Sequence, residues 1–230
     1  ANAMLAQIAK HKQEGRGPED FIPGNYFDEI VKRCFDAYQE ELTQANACDF
    51  ADLLLRVLRL AENPESAAGE DLRRRWNHVL VDEFQDVNRV QYRLVRAFAG
   101  EQRNICVVGD DDQSIYTWRG ADIRNIRGFT DDYPDARVVK LEQNYRSSNN
   151  IVSAALGVIR HARDRQPKEL WTAQEPGDPV RVVLAANERD EASLIVQGVR
   201  ERIAAGLLIT VRLMRGMRLL RRRAILLHLW

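Results

Sequence analysis

Cysteine is scarce in this chain, and the few cysteines are not arranged as metal ligands or disulfide partners. Cys34, Cys48 and Cys106 are odd in number and widely separated, and they include no Cys-x-x-Cys pair. This pattern argues against a zinc site and against the disulfide framework of a small secreted domain. We therefore expect reduced thiols and a cytoplasmic protein.

Long apolar runs and an excess of charge are missing as well. No apolar run reaches the length of a membrane span, and no segment combines the charged start and apolar centre of a signal sequence. The 34 basic and 34 acidic residues cancel, so binding to nucleic acid would depend on local patches. We expect a soluble protein with no membrane partner. Residues 1–3, which precede Met4, are interpreted as an expression scar.

The chain does contain three polar segments that each follow an apolar run. The first, HVLVDEFQD (78–86), predicts a buried parallel strand with Asp82 and Glu83 where the strand leaves the sheet, which is the edge that binds nucleotides in open α/β folds. Two adjacent carboxylates there suit metal-assisted phosphoryl transfer, with Asp82 holding Mg²⁺ and Glu83 orienting a water. For an isolated pair, an acidic strand end in solvent is the commoner explanation.

The other two segments favour the nucleotide interpretation. In CVVGDDDQSIYTWRGA (106–121), Gln113 could sense a terminal phosphate, and the rings of Tyr116 and Trp118 could stack on unpaired bases beside Arg119. In VVKLEQNYRS (138–147), the layout of a strand followed by polar residues is repeated. Its Arg146 could contact a transferring phosphoryl group.

In residue type, order and spacing, these segments closely resemble the second, third and fourth motifs of the UvrD/Rep/PcrA family of superfamily 1 DNA helicases. PEDF (18–21) and CDFADLLLRVLRL (48–60) resemble, more weakly, the segments that lead into the second motif. The resemblance implies an ATP-driven motor that moves 3′ to 5′ along single-stranded DNA and separates the duplex in repair or replication. It implies single-stranded DNA, duplex junctions and repair proteins as partners, and Mg²⁺ and ATP as cofactor and substrate.

The resemblance also assigns roles to individual residues. Asp82 and Glu83 would serve Mg²⁺ and water activation. At the nucleotide, the resemblance implies that Gln113 couples the γ-phosphate to the DNA site and that Tyr145 lies beside the adenine. It also implies catalytic roles for Glu83 and for Arg146, which would reach the γ-phosphate. The residues implied on the DNA are Tyr116, Trp118 and Arg119, with Phe50 as a weaker candidate because we expect its ring to be buried.

The family's phosphate-binding loop, G-x-x-x-x-G-K-[ST], does not occur in the 230 residues. The five lysines are Lys10, Lys12, Lys32, Lys140 and Lys168, and none of them follows a glycine. Without this loop, no backbone amides cradle the β-phosphate and no lysine neutralises it. We expect the chain alone to be a poor ATPase or none.

The alternation of strands and helices predicts an α/β fold with parallel strands. Strands are predicted at 78–81, 104–109, 137–142, 180–184 and 208–213, and 62–71 is predicted to be an exposed linker. Helices are predicted at 27–42, after a cap at Asp49, after Asp86 up to Gly100, at roughly 121–129, after Ser147 or Ser148, and at 188–205, and Trp171 is expected to anchor a loop. The resemblance makes the sheet RecA-like and flanked by helices, with a partial second RecA-like domain and a helical N-terminal portion. The implied domains are a helical segment at 4–47, a partial first motor domain at 48–137 and a partial second at 138–230.

Three alternatives stay open at this stage. The chain could be a non-catalytic helicase remnant that binds DNA or a repair partner, since the phosphate loop is missing. It could be a metal nuclease that uses Asp82, Glu83 and Asp86. Residues 207–230 carry six arginines and no acid, which could bind phosphates or a membrane surface, although we favour solvated arginines at the altered end of a motor sequence.

Overall fold

The computed structural model describes residues 2–162 and 168–205, and the backbone of 224–228. The chain divides into two compact units, one formed by Ala1–Val138 with Arg221–Trp230 and the other by Val139–Leu220. Each unit is described by itself. Among the described residues, no helix is both long enough and apolar enough to cross a bilayer.

The first unit begins with a group of helices. They are α1 (Asn2–Gln13), α2 (Tyr26–Gln44), α3 (Phe50–Glu62) and α4 (Ala67–Arg74). The predicted cap of α3 is confirmed, because the Asp49 carboxylate accepts from the backbone N–H of Asp52 at 2.8 Å and the Asp52 carboxylate accepts from Asp49 N–H at 3.3 Å. The linker predicted at 62–71 is wrong in part, since Ser66 caps α4 through Gly69 N–H at 3.1 Å.

A buried charge cluster joins α1 to α3. Lys12 is only 1% exposed, and its Nζ lies 2.8 Å from a carboxylate oxygen of both Asp49 and Asp52. The Tyr38 hydroxyl donates to Asp49 at 3.0 Å, and the Lys12 ammonium lies 4.9 Å from the centre of the Tyr38 ring. An apolar cluster of Ile8, Phe21, Val31 and Phe35 packs α1 against α2. Salt bridge and apolar packing together therefore hold the N-terminal helices.

A small parallel sheet follows. Its strands are β1 (His78–Asp82), β2 (Ile105–Val107) and β3 (Ala224–His228), in the order β2-β1-β3. The predicted parallel pairing of the first two strands is confirmed, with Leu80 opposite Cys106. Val79 and Val81 are 1% exposed but Leu80 is 40% exposed, so β1 is buried on one face rather than on both.

Helix α5 (Arg89–Ala99) covers the buried face of this sheet. Asn88 and Gln91 form its capping box through reciprocal bonds of 2.9 Å, and Gly100 ends it with a φ of +54°, as the sequence predicts. The helix predicted at 121–129 is present as two short pieces, α6 (Ile123–Arg127) and α7 (Phe129–Asp132). The core that these elements share contains Val79, Val81, Phe84, Val87, Tyr92, Val95, Ala99, Phe129 and Tyr133.

The second unit contains α8 (Asn149–Ile159) and α9 (Glu188–Ala204), close to the helices predicted there. Ser148 is at the N-cap of α8, but its side chain makes no capping bond. Gln143 and Trp171 form an isolated parallel bridge, in which Asn144 N–H donates to the Trp171 carbonyl at 2.7 Å. Trp171 therefore anchors its loop, as expected.

Two predicted strands are absent from the part of the chain that the structure describes. Residues 138–141 and 180–184 are irregular, and the side chains of Val139, Leu141, Val182 and Leu184 are between 61% and 93% exposed. Both predictions are wrong here because an apolar run becomes a strand only when another strand pairs with it. The strand predicted at 208–213 and the six C-terminal arginines fall outside the described residues.

Candidate functional site: a carboxylate edge beside an aromatic pair

The candidate site begins where β1 ends. Asp82 is the last residue of the strand, and Glu83 follows with a φ of +51° and a ψ of 42°. A left-handed conformation is uncommon for a residue other than glycine and is found preferentially at functional sites. The Glu83 backbone N–H donates to the Asp82 carboxylate at 2.9 Å. Asp82, the predicted Mg²⁺ ligand, and Glu83, the residue predicted to orient water, therefore lie together, half-buried, at the carboxyl edge of the sheet.

A buried glutamine connects this edge to the next loop. Gln85 is 1% exposed, and its amide nitrogen donates to Glu83 Oε2 at 2.8 Å. Its amide oxygen accepts from the backbone N–H of Asp110 at 3.0 Å. Sequence reasoning gave Gln85 no role. Its position inside the acidic segment DEFQD was the available signal, because a buried amide has to find partners for both ends.

The loop after β2 carries the predicted phosphate sensor. Asp110 caps a short 3-10 turn at Asp111–Gln113, and its carboxylate accepts from Asp112 N–H at 3.1 Å. The exposed Gln113 side chain donates through Nε2 to Asp110 Oδ2 at 2.8 Å. Gln85 and Asp110 thus link Glu83 to Gln113 by consecutive hydrogen bonds.

The predicted DNA-binding aromatics come next in the chain. The rings of Tyr116 and Trp118 are 6.1 Å apart between centroids and inclined by 60°, and Trp118 is 74% exposed. The expectation that Phe50 is buried is wrong, because its side chain is 91% exposed at the first position of α3. The Arg119 side chain lies outside the described part of the structure.

The acids at this edge affect one another electrostatically. Burial raises the pKa of Asp86, and the neighbouring negative charge of Glu83 raises it further. Asp86 Oδ1 is buried and has no hydrogen-bond partner among the described residues. Asp111 is nearly buried, and its carboxylate lies 4.0 Å from the Arg127 guanidinium. Several carboxylates therefore lie close together at this edge.

The donor set at Asp82 and Glu83 fits the Mg²⁺ that the resemblance implies. Magnesium prefers hard oxygen ligands and commonly takes one or two carboxylates, with water and phosphate oxygens completing its shell. Asp110, Asp111 and Asp112 have carboxylate oxygens within 4.8 Å of one another, and no other group of three or more potential ligands is found in the described ranges. The grouping of Asp82, Glu83 and Asp86 that a metal nuclease would need is therefore not formed there.

A separate cleft of about 1000 Å³ in the first unit is lined by five arginines and several acids. Arg124 contacts Asp122 at 2.7 Å and Arg96 contacts Asp132 at 3.4 Å. A hydrogen bond from Arg124 lowers the pKa of Asp122, which keeps this pair ionised. Because its arginines are largely neutralised from within, we do not include the cleft in the candidate site.

The remaining predicted nucleotide residues belong to the second unit. Tyr145 is 74% exposed, and its hydroxyl donates to Gln143 Oε1 at 2.6 Å. The exposed Arg146 follows it, and its backbone N–H donates to Asn144 Oδ1 at 3.0 Å. Asn144 Oδ1 also accepts from Ser147 N–H at 2.8 Å. A tight turn thus presents the Tyr145 and Arg146 side chains to solvent.

Comparison with known proteins agrees with the motifs. The family model described as the UvrD/REP helicase N-terminal domain matches residues 1–134, and that of the UvrD-like helicase C-terminal domain matches residues 139–215. The chain is 42% identical over 206 residues to the ATP-dependent DNA helicase PcrA of Staphylococcus epidermidis, covering 88% of this chain and 28% of the relative.

Two further relatives give the same result. The chain is 39% identical to the ATP-dependent DNA helicase PcrA of Bacillus subtilis, over 89% of this chain and 28% of that protein. It is 42% identical to DNA helicase II of Escherichia coli, over 84% of this chain and 27% of that protein. The chain thus spans little more than a quarter of the length of these relatives. The chain belongs to the UvrD/REP family of DNA helicases.

Proposed function

We propose that this chain forms part of an ATP-dependent 3′ to 5′ DNA translocase of the UvrD type, in which Mg-ATP hydrolysis is coupled to movement on single-stranded DNA. The observation that carries this proposal is the hydrogen-bonded path from Glu83 through Gln85 and Asp110 to Gln113, in a loop that also presents Trp118. We further propose a RecA-like architecture for its sheet and a cytoplasmic role in repair or replication at duplex junctions.

The carboxylate edge would act on the nucleotide. Asp82 would bind Mg²⁺, which supplies neutralisation of phosphate charge when bound, and Glu83 would hold the attacking water and accept its proton. Gln113 would contact the γ-phosphate. The family resemblance assigns Tyr145 to the adenine and Arg146 to the γ-phosphate, and these two assignments stay predictions.

The aromatic pair would act on the DNA. Tyr116 and Trp118 offer faces on which unpaired bases of any sequence can stack, and Arg119 and the exposed Phe50 are further candidates. Stacking is worth about 1 to 3 kcal/mol per base. Loss of the Trp118 ring should therefore weaken binding to single-stranded DNA between about fivefold and 150-fold.

Fluorescence anisotropy with a labelled oligonucleotide at fixed low salt would test this role. Trp118→Ala should weaken binding within the range given above, and Ile115→Ala should not. Ile115 is a suitable control because it is 70% exposed in the same loop but has no flat ring. Equal affinities of Trp118→Ala and the wild-type chain would remove Trp118 from the DNA site.

ATP hydrolysis is tested separately, because the phosphate-binding loop is not in the sequence. We expect the 230 residues alone to show little or no hydrolysis. Joined to an N-terminal segment that carries such a loop, the chain should gain hydrolysis that single-stranded DNA stimulates and that Glu83→Gln abolishes. DNA binding without any hydrolysis in the joined protein would instead support a non-catalytic role, the alternative that the missing loop motivates.

A further inference from the structure

Gln85 is a fully buried polar side chain that touches both loops of the candidate site. Its nitrogen donates to Glu83 Oε2 at 2.8 Å, and its oxygen accepts from Asp110 N–H at 3.0 Å. An amide has distinct donor and acceptor ends, and here both ends have matching partners. Reversing the amide would point its oxygen at a carboxylate and its N–H groups at another N–H. The orientation of Gln85 is therefore fixed by its surroundings.

The backbone around Gln85 leaves it little room to move. A Cβ built on Gly109 would lie 2.8 Å from Gln85 Oε1 and 3.2 Å from the Gln85 backbone nitrogen. Phe84 N–H donates to the Val108 carbonyl at 2.9 Å, so the two loops are also joined through the backbone next to this side chain. Gln85 thus fills a narrow gap that only a glycine at 109 permits.

From these contacts we propose that Gln85 is a positioning residue that couples the position of the Glu83 side chain to the turn carrying Gln113. The charge-assisted hydrogen bond from Gln85 Nε2 to Glu83 Oε2, at 2.8 Å, holds the donor end of the amide in place. When Glu83 gives up this bond, the acceptor end of Gln85 relaxes and Asp110 loses its restraint. Asp110 in turn holds the Gln113 side chain at 2.8 Å. The inference deepens the proposed function, on which its role in catalysis rests.

The link itself can be measured without nucleotide by residue-resolved amide hydrogen exchange on the isotope-labelled chain. Glu83→Ala should speed the exchange of Asp110 N–H about fivefold, the equivalent of one ordinary hydrogen bond. In a Gln85→Met background, where both amide contacts are already lost, Glu83→Ala should add nothing at Asp110. The amides of Val79 and Val81 in β1 should change in neither case, which separates a local link from general loosening.

Two further variants keep the test decisive. Gln39→Met, which replaces a half-buried glutamine on α2, should leave Asp110 exchange unchanged. Gln85→Glu keeps an acceptor for Asp110 N–H but no longer donates to Glu83, so it serves if Gln85→Met does not fold. In Gln85→Glu, Asp110 should stay protected yet become insensitive to Glu83→Ala. The inference is overturned if Glu83→Ala has the same effect on Asp110 with and without Gln85.

A second readout separates this inference from the proposed function. In the protein joined to a phosphate-binding loop, Gln85→Met should lower kcat for DNA-stimulated ATP hydrolysis about 10- to 100-fold with little change in KM for ATP, the usual cost of losing such a supporting contact. A link seen by exchange without any hydrolysis in the joined protein would defeat the proposed function only. Hydrolysis with Asp110 insensitive to Glu83 would defeat this inference only.

Discussion

Removal of the Lys12 ammonium should be among the most damaging single changes in the first unit. Lys12 is 1% exposed and lies 2.8 Å from both Asp49 and Asp52, the second of which is 4% exposed. Lys12→Met keeps most of the apolar stem but leaves two carboxylates without their cation. Breaking a buried pair from one side costs about 3 to 5 kcal/mol, because the remaining charge is uncompensated. Native domains are typically stable by about 5 to 15 kcal/mol, so this loss would be a large part of the stability of the unit.

Two controls separate charge from packing. Lys32 pairs with Asp36 on the surface of α2 at 2.6 Å, with 27% and 50% of the side chains exposed, so Lys32→Met should cost only about 0.3 to 0.5 kcal/mol. The double variant Lys12→Met with Asp52→Asn removes the most buried uncompensated charge and keeps an acceptor for the α3 cap. It should regain a large part of the loss.

The acid side of the stability profile gives an independent check. Burial alone would raise the pKa of Asp49, but hydrogen bonds from Lys12, the Asp52 backbone and Tyr38 together hold that pKa below the ordinary 3.8. A carboxylate whose pKa is lower in the folded than in the unfolded state stabilises the folded state fully at pH values above the unfolded pKa. This contribution is lost as the pH falls below 3.8 and through the lowered pKa of the folded state. The difference between wild type and Lys12→Met should therefore shrink as the pH falls through this window.

Urea denaturation followed by circular dichroism would measure these differences, with an unchanged slope showing that the unfolded state is the same. A loss below about 1 kcal/mol for Lys12→Met at pH 7 would refute the reasoning, since it would mean that water reaches the carboxylates and replaces the cation. A loss that does not change between pH 7 and pH 3 would refute the assignment of the effect to Asp49.

Three further changes test packing and burial in the first unit. Gly109→Ala should push Gln85 out of its gap and destabilise the first unit by about 1 to 3 kcal/mol, measured by urea denaturation, and no loss would mean that the two loops separate easily. Phe35→Ala should lower the free energy of unfolding by about 3 to 5 kcal/mol, because the Phe35 side chain is 0% exposed. Phe50→Ala should leave that free energy unchanged and weaken DNA binding. A loss of stability in Phe50→Ala would contradict the 91% exposure of this side chain.

Local patterns in the sequence predicted much of the first unit. The cap at Asp49 and the end of α5 at Gly100 depend on residues within a turn of one another, so their spacing in the chain is nearly their spacing in space. The ends of β1 and β2 were also predictable, because an apolar run followed by acids marks the edge of a parallel sheet. This places Glu83 and Gln113 near each other without knowledge of the fold.

Predictions that depended on an unseen partner were less successful. The apolar runs at 138–141 and 180–184 have the composition of strands but no paired neighbour in the described structure. The reverse error occurred at Phe50, where an apolar residue on an amphipathic helix was expected in the core and lies 91% exposed. In each case the sequence shows that the segment is apolar, but it does not show which residues surround that segment in the folded protein.

By itself, the sequence determined where the carboxylates, the amide and the stacking rings stand along the chain, and hence the family to which the protein belongs. Only the tertiary structure decided that Lys12 is buried against Asp49, which lies 37 residues further along the chain. Only the tertiary structure decided, too, that Gln85 joins Glu83 to Asp110, which lies 25 residues after Gln85. The physical reason is that a buried polar group must find a partner wherever the fold brings one. No local spacing specifies a partner at that distance.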